Sequence, residues 1–188
     1  MTGPVDQEDL PAGNFSQWLH GMQAALRGER SSDVPCEGCT ACCRSSQFVH
    51  VGPEETETLS RIPVELRFPA PRMPAGHVVL GYDEQGRCPM LIGDRCSIYA
   101  HRPQACRTYD CRVFPAAGVD PDDEQALIAE RAKRWRFDFS SDDDRAVHAA
   151  VSAAAVSIGQ RGPRTSEEPP PVNATQLAVA AIEGVSWV

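Results

Sequence analysis

Eight cysteines fall between residues 36 and 111, and none lies elsewhere in the 188-residue chain. Four are packed into "CEGCTACC", as Cys36, Cys39, Cys42 and Cys43, and Cys88, Cys96, Cys106 and Cys111 follow downstream. In a C-x2-C turn two thiolates converge on one point, and two more from a distant segment complete a tetrahedron with sulfurs at about 2.3 Å from zinc. Soft all-sulfur donors select zinc or iron–sulfur chemistry over magnesium or calcium. The adjacent pair Cys42 and Cys43 adds a constraint. Successive side chains of an extended chain point to opposite faces, so the two do not serve one ion equivalently. One turns toward a second metal, bridges two metals, or stays a reactive thiol.

Other uses of thiols fit less well. Four disulfides need an oxidising compartment, and the N-terminal "MTGPVDQEDLPAG" lacks the basic and apolar regions of a secretory signal. Core packing has no need of C-x2-C-x2-C-C. Two metal templates are each partly matched. Three close cysteines with a remote Cys88-Pro89 follow a ferredoxin-like pattern, but the three-residue gap is missing; a zinc ribbon needs a second C-x2-C, which is absent. Arg44, Arg87, Arg95, Arg102, Arg107 and Arg112 are interleaved with the cysteines, where guanidinium groups offset thiolate charge or donate to sulfur. His101 lies between Cys96 and Cys106 but reads as a surface or capping residue. His50 and His77 fall in expected strands and His20 and His148 in helices, none with ligand spacing to another. Tyr99 and Tyr109 read as packing residues, and Ser45 and Ser46 have no His/Asp partner for a hydrolase triad.

The cysteine-bearing segments, "CEGCTACC" followed by "CPMLIGDRCSIYAHRPQACRTYDC", resemble the CxxCxxCC family of zinc- or iron-chelating domains, also called YkgJ-type cysteine cluster proteins. The matching features are C-x2-C-x2-C-C, Cys88-Pro89-x-Leu91, Cys96-x-Ile98-Tyr99, Arg102-Pro103, Cys106-Arg107 and Tyr109-x-Cys111. The resemblance covers roughly residues 36 to 115. It implies metal chelation by zinc or iron, with all eight cysteines, Cys36, Cys39, Cys42, Cys43, Cys88, Cys96, Cys106 and Cys111, as candidate ligands. The alternative is an iron–sulfur cluster with a redox or methyl-transfer-related role, as in larger relatives similar to flagellin lysine N-methylases. No Gly-rich nucleotide loop and no catalytic constellation beyond the cysteines supports carrying that activity over.

The elements that position these residues are short. Phe15, Trp18, Leu19, Met22, Ala25 and Leu26 recur at helical spacing over 14–30, with Asn14 or Ser16 as cap. "QFVHV" at 47–51 and "HVVLGYD" at 77–83 read as strands, "GPEETETLSRI" as a helix, and Gly93-Asp94 as a tight turn between two short strands. Beyond Pro115, "DPDDEQALIAERAKRWR" reads as a helix whose basic end "RAKRWR" is a solvated last turn. A second helix is capped by Ser140 or Ser141 and closed by Gly159, and "ATQLAVAAIEG" forms a last one, with Asn173 or Thr175 as cap. "QRGPRTSEEPPP" reads as a linker or surface loop.

The fold class expected is α+β: a small, loop-rich cysteine-cluster domain with short strands, preceded by one helix and followed by C-terminal helices. The expected boundaries are a tail at 1–13, the cysteine domain at 14–118 and a helical extension packed on it at 119–188. A net charge of −8 with one lysine, Lys133, argues against a phosphate-tracking nucleic-acid surface. No segment reaches the apolar length of a bilayer span, so the expectation is a soluble, cytoplasmic protein whose partners are metal ions.

Overall fold

The computed structural model describes residues 8–185, apart from Asp33, Pro35, Glu37 and residues 161–172. Along the chain the elements are β1 (Leu10–Asn14), α1 (Phe15–Leu26), β2 (Val49–Val51), α2 (Thr56–Arg61), β3 (Arg67–Pro69), β4 (Val78–Leu80), β5 (Leu91–Ile92), β6 (Arg95–Cys96), α3 (Gln104–Thr108), α4 (Val113–Ala117), α5 (Ala126–Ala132), β7 (Trp135–Asp138), α6 (Asp142–Gln160) and α7 (Ala174–Glu183). The fold is α+β, with short strands, one N-terminal helix and helices toward the C-terminus. It divides into two compact units, one of residues 28–109 and one that combines 1–27 with 110–188.

In the unit of 28–109, β2, β4 and β3 form an antiparallel sheet in that order, with His50 opposite Val79 and Val79 opposite Phe68. Strand alternation sends Val51 and Leu80 into a small core with Ile62, Met90 and Ile98. Cys88 and Cys96 pack against that core. β5 and β6 make the expected hairpin, turned at Gly93, whose φ of +61° is a conformation glycine adopts without strain.

In the other unit, β1 and β7 pair in parallel, Leu10 opposite Trp135 and Asn14 opposite Asp138. Helix α1 starts at the expected cap, where Asn14 accepts from the Gln17 N–H at 3.0 Å. It buries Phe15, Trp18, Leu19, Met22 and Ala25. The Phe15 ring meets Phe137 edge-on at 5.2 Å and His148 at 4.8 Å, and α6 packs with α4 and α7 around Val151, Phe114 and Ile182. A buried ion pair lies here, with Arg112 Nη2 to Asp110 Oδ2 at 2.8 Å and the Trp18 indole N–H donating to the same oxygen at 2.8 Å.

Three expectations change. Residues 10–13, read as part of a tail, form β1; residues 1–7 lie outside the described ones. "RAKRWR" is not a helical last turn: α5 ends at Ala132 and Trp135 opens β7 with its ring 2% exposed. Burying that indole in a strand pair gains more than one further turn of helix would, which is tertiary packing overriding local propensity. Gly159 does not close α6, which runs on to Gln160; the linker read at 160–171 lies outside the described residues after Gln160.

Candidate metal centre

The Cys39 N–H donates to Cys36 O at 2.8 Å, and Gly38 takes a φ of +73°, a left-handed conformation that glycine adopts without strain. Cys42 and Cys43 lie in a 3-10 turn, Cys42–Arg44, rather than in extended chain. Three residues per turn still direct neighbouring side chains about a third of a turn apart, so the two thiols diverge for a helical reason.

Backbone hydrogen bonds then tie the remote segments to this quartet. The Cys88 N–H donates to Cys43 O at 2.7 Å, and the Ser46 N–H to Gly86 O at 2.9 Å, so the end of the quartet is zipped to the chain that delivers Cys88. That chain is held in turn by Asp83, whose carboxylate accepts from the Gln85 and Arg87 N–H groups and from Arg87 Nε, each at 2.9 Å. The hairpin places Cys96 opposite Leu91. Ahead of the quartet, the Ser32 N–H and hydroxyl both donate to Arg107 O at 2.9 Å, binding the approach to Cys36 to the helix that carries Cys106.

The thiols gathered this way act on one another. Burial, then Cys88, Cys96, Cys39 and Cys36 in that order, push the Cys43 thiol up to about 11. Burial, then Cys43, Cys88 and Cys96, push Cys106 up to about 12, against the pull of Arg102. Cys106 keeps exposed surface as a residue, yet enough protein surrounds its sulfur for desolvation to dominate. Cys88 is raised by burial and by Cys96, against the pull of the nearby Met90 and Leu91 N–H groups. No disulfide joins any two of the eight cysteines. Protonated, crowded thiols suit a cation that trades protons for itself.

Two arginines strengthen the fit. The Nε atoms of Arg102 and Arg107 are buried with no hydrogen-bond partner, on either side of Cys106 in sequence. An orphaned guanidinium donor costs free energy beside a neutral thiol and is satisfied by a thiolate. Three of the other interleaved arginines have different work. Arg44 pairs with Asp94 at 2.6 Å and Arg87 with Asp83, and Arg112 belongs to the Asp110 ion pair. Among the described residues no group of three or more His, Cys, Asp or Glu side chains is already set to hold an ion, so the thiols are gathered but not closed around a point.

Glu55 is a positioning residue the sequence reading missed. Its carboxylate, 8% exposed, accepts from the Gly52 N–H at 3.0 Å and from the Gln104 N–H at 2.6 Å, which satisfies the first donor of α3 and aims the helix bearing Cys106. No local pattern announces it, because its partner lies 49 residues away. His101 is half-buried, with its Nδ1 3.4 Å from the Glu57 carboxylate. Cys111 lies in the other compact unit, buried, and its sulfur accepts the Trp135 indole N–H at 3.1 Å.

Residues 35–133, more than half of the chain, match the family model CxxCxxCC, described as "Putative zinc- or iron-chelating domain". The chain belongs to this family, which supports metal binding. No curated protein and no solved structure matches it. Among the described residues no helix is long and apolar enough to cross a membrane.

Proposed function

We propose that residues 28–109 chelate zinc or iron through thiolates drawn from Cys36, Cys39, Cys42, Cys43, Cys88, Cys96 and Cys106. The observation that carries this reading is the crowding of Cys43 by thiols from both halves of the motif, across the direct Cys88-to-Cys43 backbone bond. Bound there, the metal supplies the positive charge that makes several adjacent thiolates tolerable. The chain's own part is to bring the sulfurs together with short backbone ties, to set the Met90 and Leu91 N–H groups near Cys88, and to offer Arg102 and Arg107 as charge-balancing donors. Each thiol still protonated at neutral pH releases its proton on binding, so affinity falls as pH falls.

Cys111 serves in this reading as the buried acceptor for Trp135 rather than as a ligand. Metal analysis of protein purified without air tests the whole. About two zincs per chain favours twin thiolate sites, and about four irons with acid-labile sulfide favours a cluster. Cys43→Ser and Cys106→Ser are expected to lower the ratio. Protein that takes up neither metal after anaerobic reduction and reloading, or a Cys43→Ser variant with the full ratio, overturns the proposal.

A further inference from the structure

The expected strands put His50 and His77 far apart in sequence, but the fold makes them neighbours. His50 is the middle residue of β2 and His77 directly precedes β4, and His50 Nε2 lies 2.9 Å from His77 Nδ1. The ring planes are only 20° from parallel, yet the ring centres are 5.1 Å apart. A nitrogen contact that short with centres that distant runs edge to edge rather than face to face. One ring therefore donates a hydrogen into the lone pair of the other.

Both backbones are pinned. His50 is in register opposite Val79, while the His77 N–H donates to Pro74 O at 3.3 Å and His77 O accepts from Ala70 N–H at 3.0 Å. Val51 and Leu80 point into the core with Cys88 and Cys96, so alternation turns His50 to the opposite face of the sheet. A carboxylate lies close along the chain. Gly52, two residues past His50, has no positive φ to explain it, but a Cβ there would collide with the carboxylate of Glu54. The missing side chain makes room for the exposed Glu54 carboxylate beside the end of β2.

We propose that His50 and His77, with Glu54 swinging in as a third donor, form a second metal site for a borderline divalent ion such as zinc, separate from the thiols. Neutral imidazole suits zinc, copper, iron and nickel, where carboxylate alone suits harder ions. Two nitrogens at about 2.0–2.1 Å from a tetrahedral ion stand roughly 3.3 Å apart, so the pair opens by only a few tenths of an ångström. The ion takes the place of the shared hydrogen. The donating ring moves that hydrogen to its other nitrogen, so that both facing nitrogens offer a lone pair to the ion. Among the described residues no three donors are preset for an ion, and in this proposal Glu54 joins the two imidazoles on binding.

The test uses the full chain, first saturated with zinc at the thiols, in a further titration with zinc ions followed by imidazole nitrogen NMR. One additional equivalent is expected to shift His50 Nε2 and His77 Nδ1 and to leave His20, His101 and His148 unmoved. His50→Ala and His77→Ala should each lose that equivalent while keeping the rest of their metal, and Glu54→Gln should weaken it about tenfold. Imidazole signals that stay still up to about 1 mM zinc, or move alike in all five histidines, overturn the proposal. So does a folded His50→Ala variant that retains the extra equivalent. The wild-type spectrum decides the matter if a variant fails to fold.

Discussion

At the scale of single residues, the chemistry lies in what surrounds each sulfur. Cys43 and Cys106 are thiols that burial and neighbouring thiols keep protonated, whereas Cys111 is buried beside an indole donor. Sequence spacing cannot separate these roles, since Cys106 and Cys111 are both members of one motif. The difference comes from Trp135, distant in sequence, whose N–H needs an acceptor once its ring is buried. Cys111→Ala leaves that N–H unsatisfied and is expected to cost about 1–3 kcal/mol in denaturant unfolding. The metal-to-protein ratio should not change. A lower ratio in the folded variant would return Cys111 to the ligand set.

At the scale of elements, most helices and strands follow from local signals, and the caps show why. Asn14 and Asn173 each accept from the N–H three residues on, as side chains of their kind do wherever a helix begins. The Gly93 turn and the hairpin around it rest on equally local rules. Strands β1 and β7 were not legible, because each is a strand only by virtue of the other. The start of α6 combines both kinds of information. Ser141 Oγ accepts from the Asp144 N–H at 3.1 Å, a local cap, while Asp144 accepts from the side chains of Ser16 and Asn14 at the start of α1. The Ser16 bond first, then the Asn14 bond, hold the Asp144 carboxyl below its usual range. A lowered carboxyl contributes stability above its unfolded value of about 3.9 and loses it as pH falls through the folded value. Asp144→Asn should therefore melt below the wild type at pH 7, with the gap closing below about pH 4. Thermal melts across that range check it, and a gap independent of pH would contradict the assignment.

At the scale of the whole molecule, the two compact units bury very different amounts of apolar surface. The unit of 28–109 has its core in Val51, Ile62, Leu80, Met90 and Ile98, while the other closes over Phe15, Leu19, Phe114, Ile128, Val151 and Ile182. A small core rarely supplies enough stability alone, and thiolate-bound metal adds folding free energy directly. Removing metal with a chelator is expected to expose amides in β2, β4 and α3 to hydrogen exchange while α6 and α7 keep their protection. Equal loss in both units, or none in either, would count against metal as the staple of residues 28–109. What the sequence by itself determined is the chemistry available and the local elements: soft sulfur donors at close spacing, helix caps, a glycine turn and an apolar face on α1. These depend on bonds and contacts only a few residues long. Only the tertiary structure decided that Cys43 meets Cys88, that Glu55 aims α3, that His50 meets His77 and that Trp135 takes up Cys111. Each of those pairings is made by backbone ties and burial between distant segments, which no short-range pattern specifies.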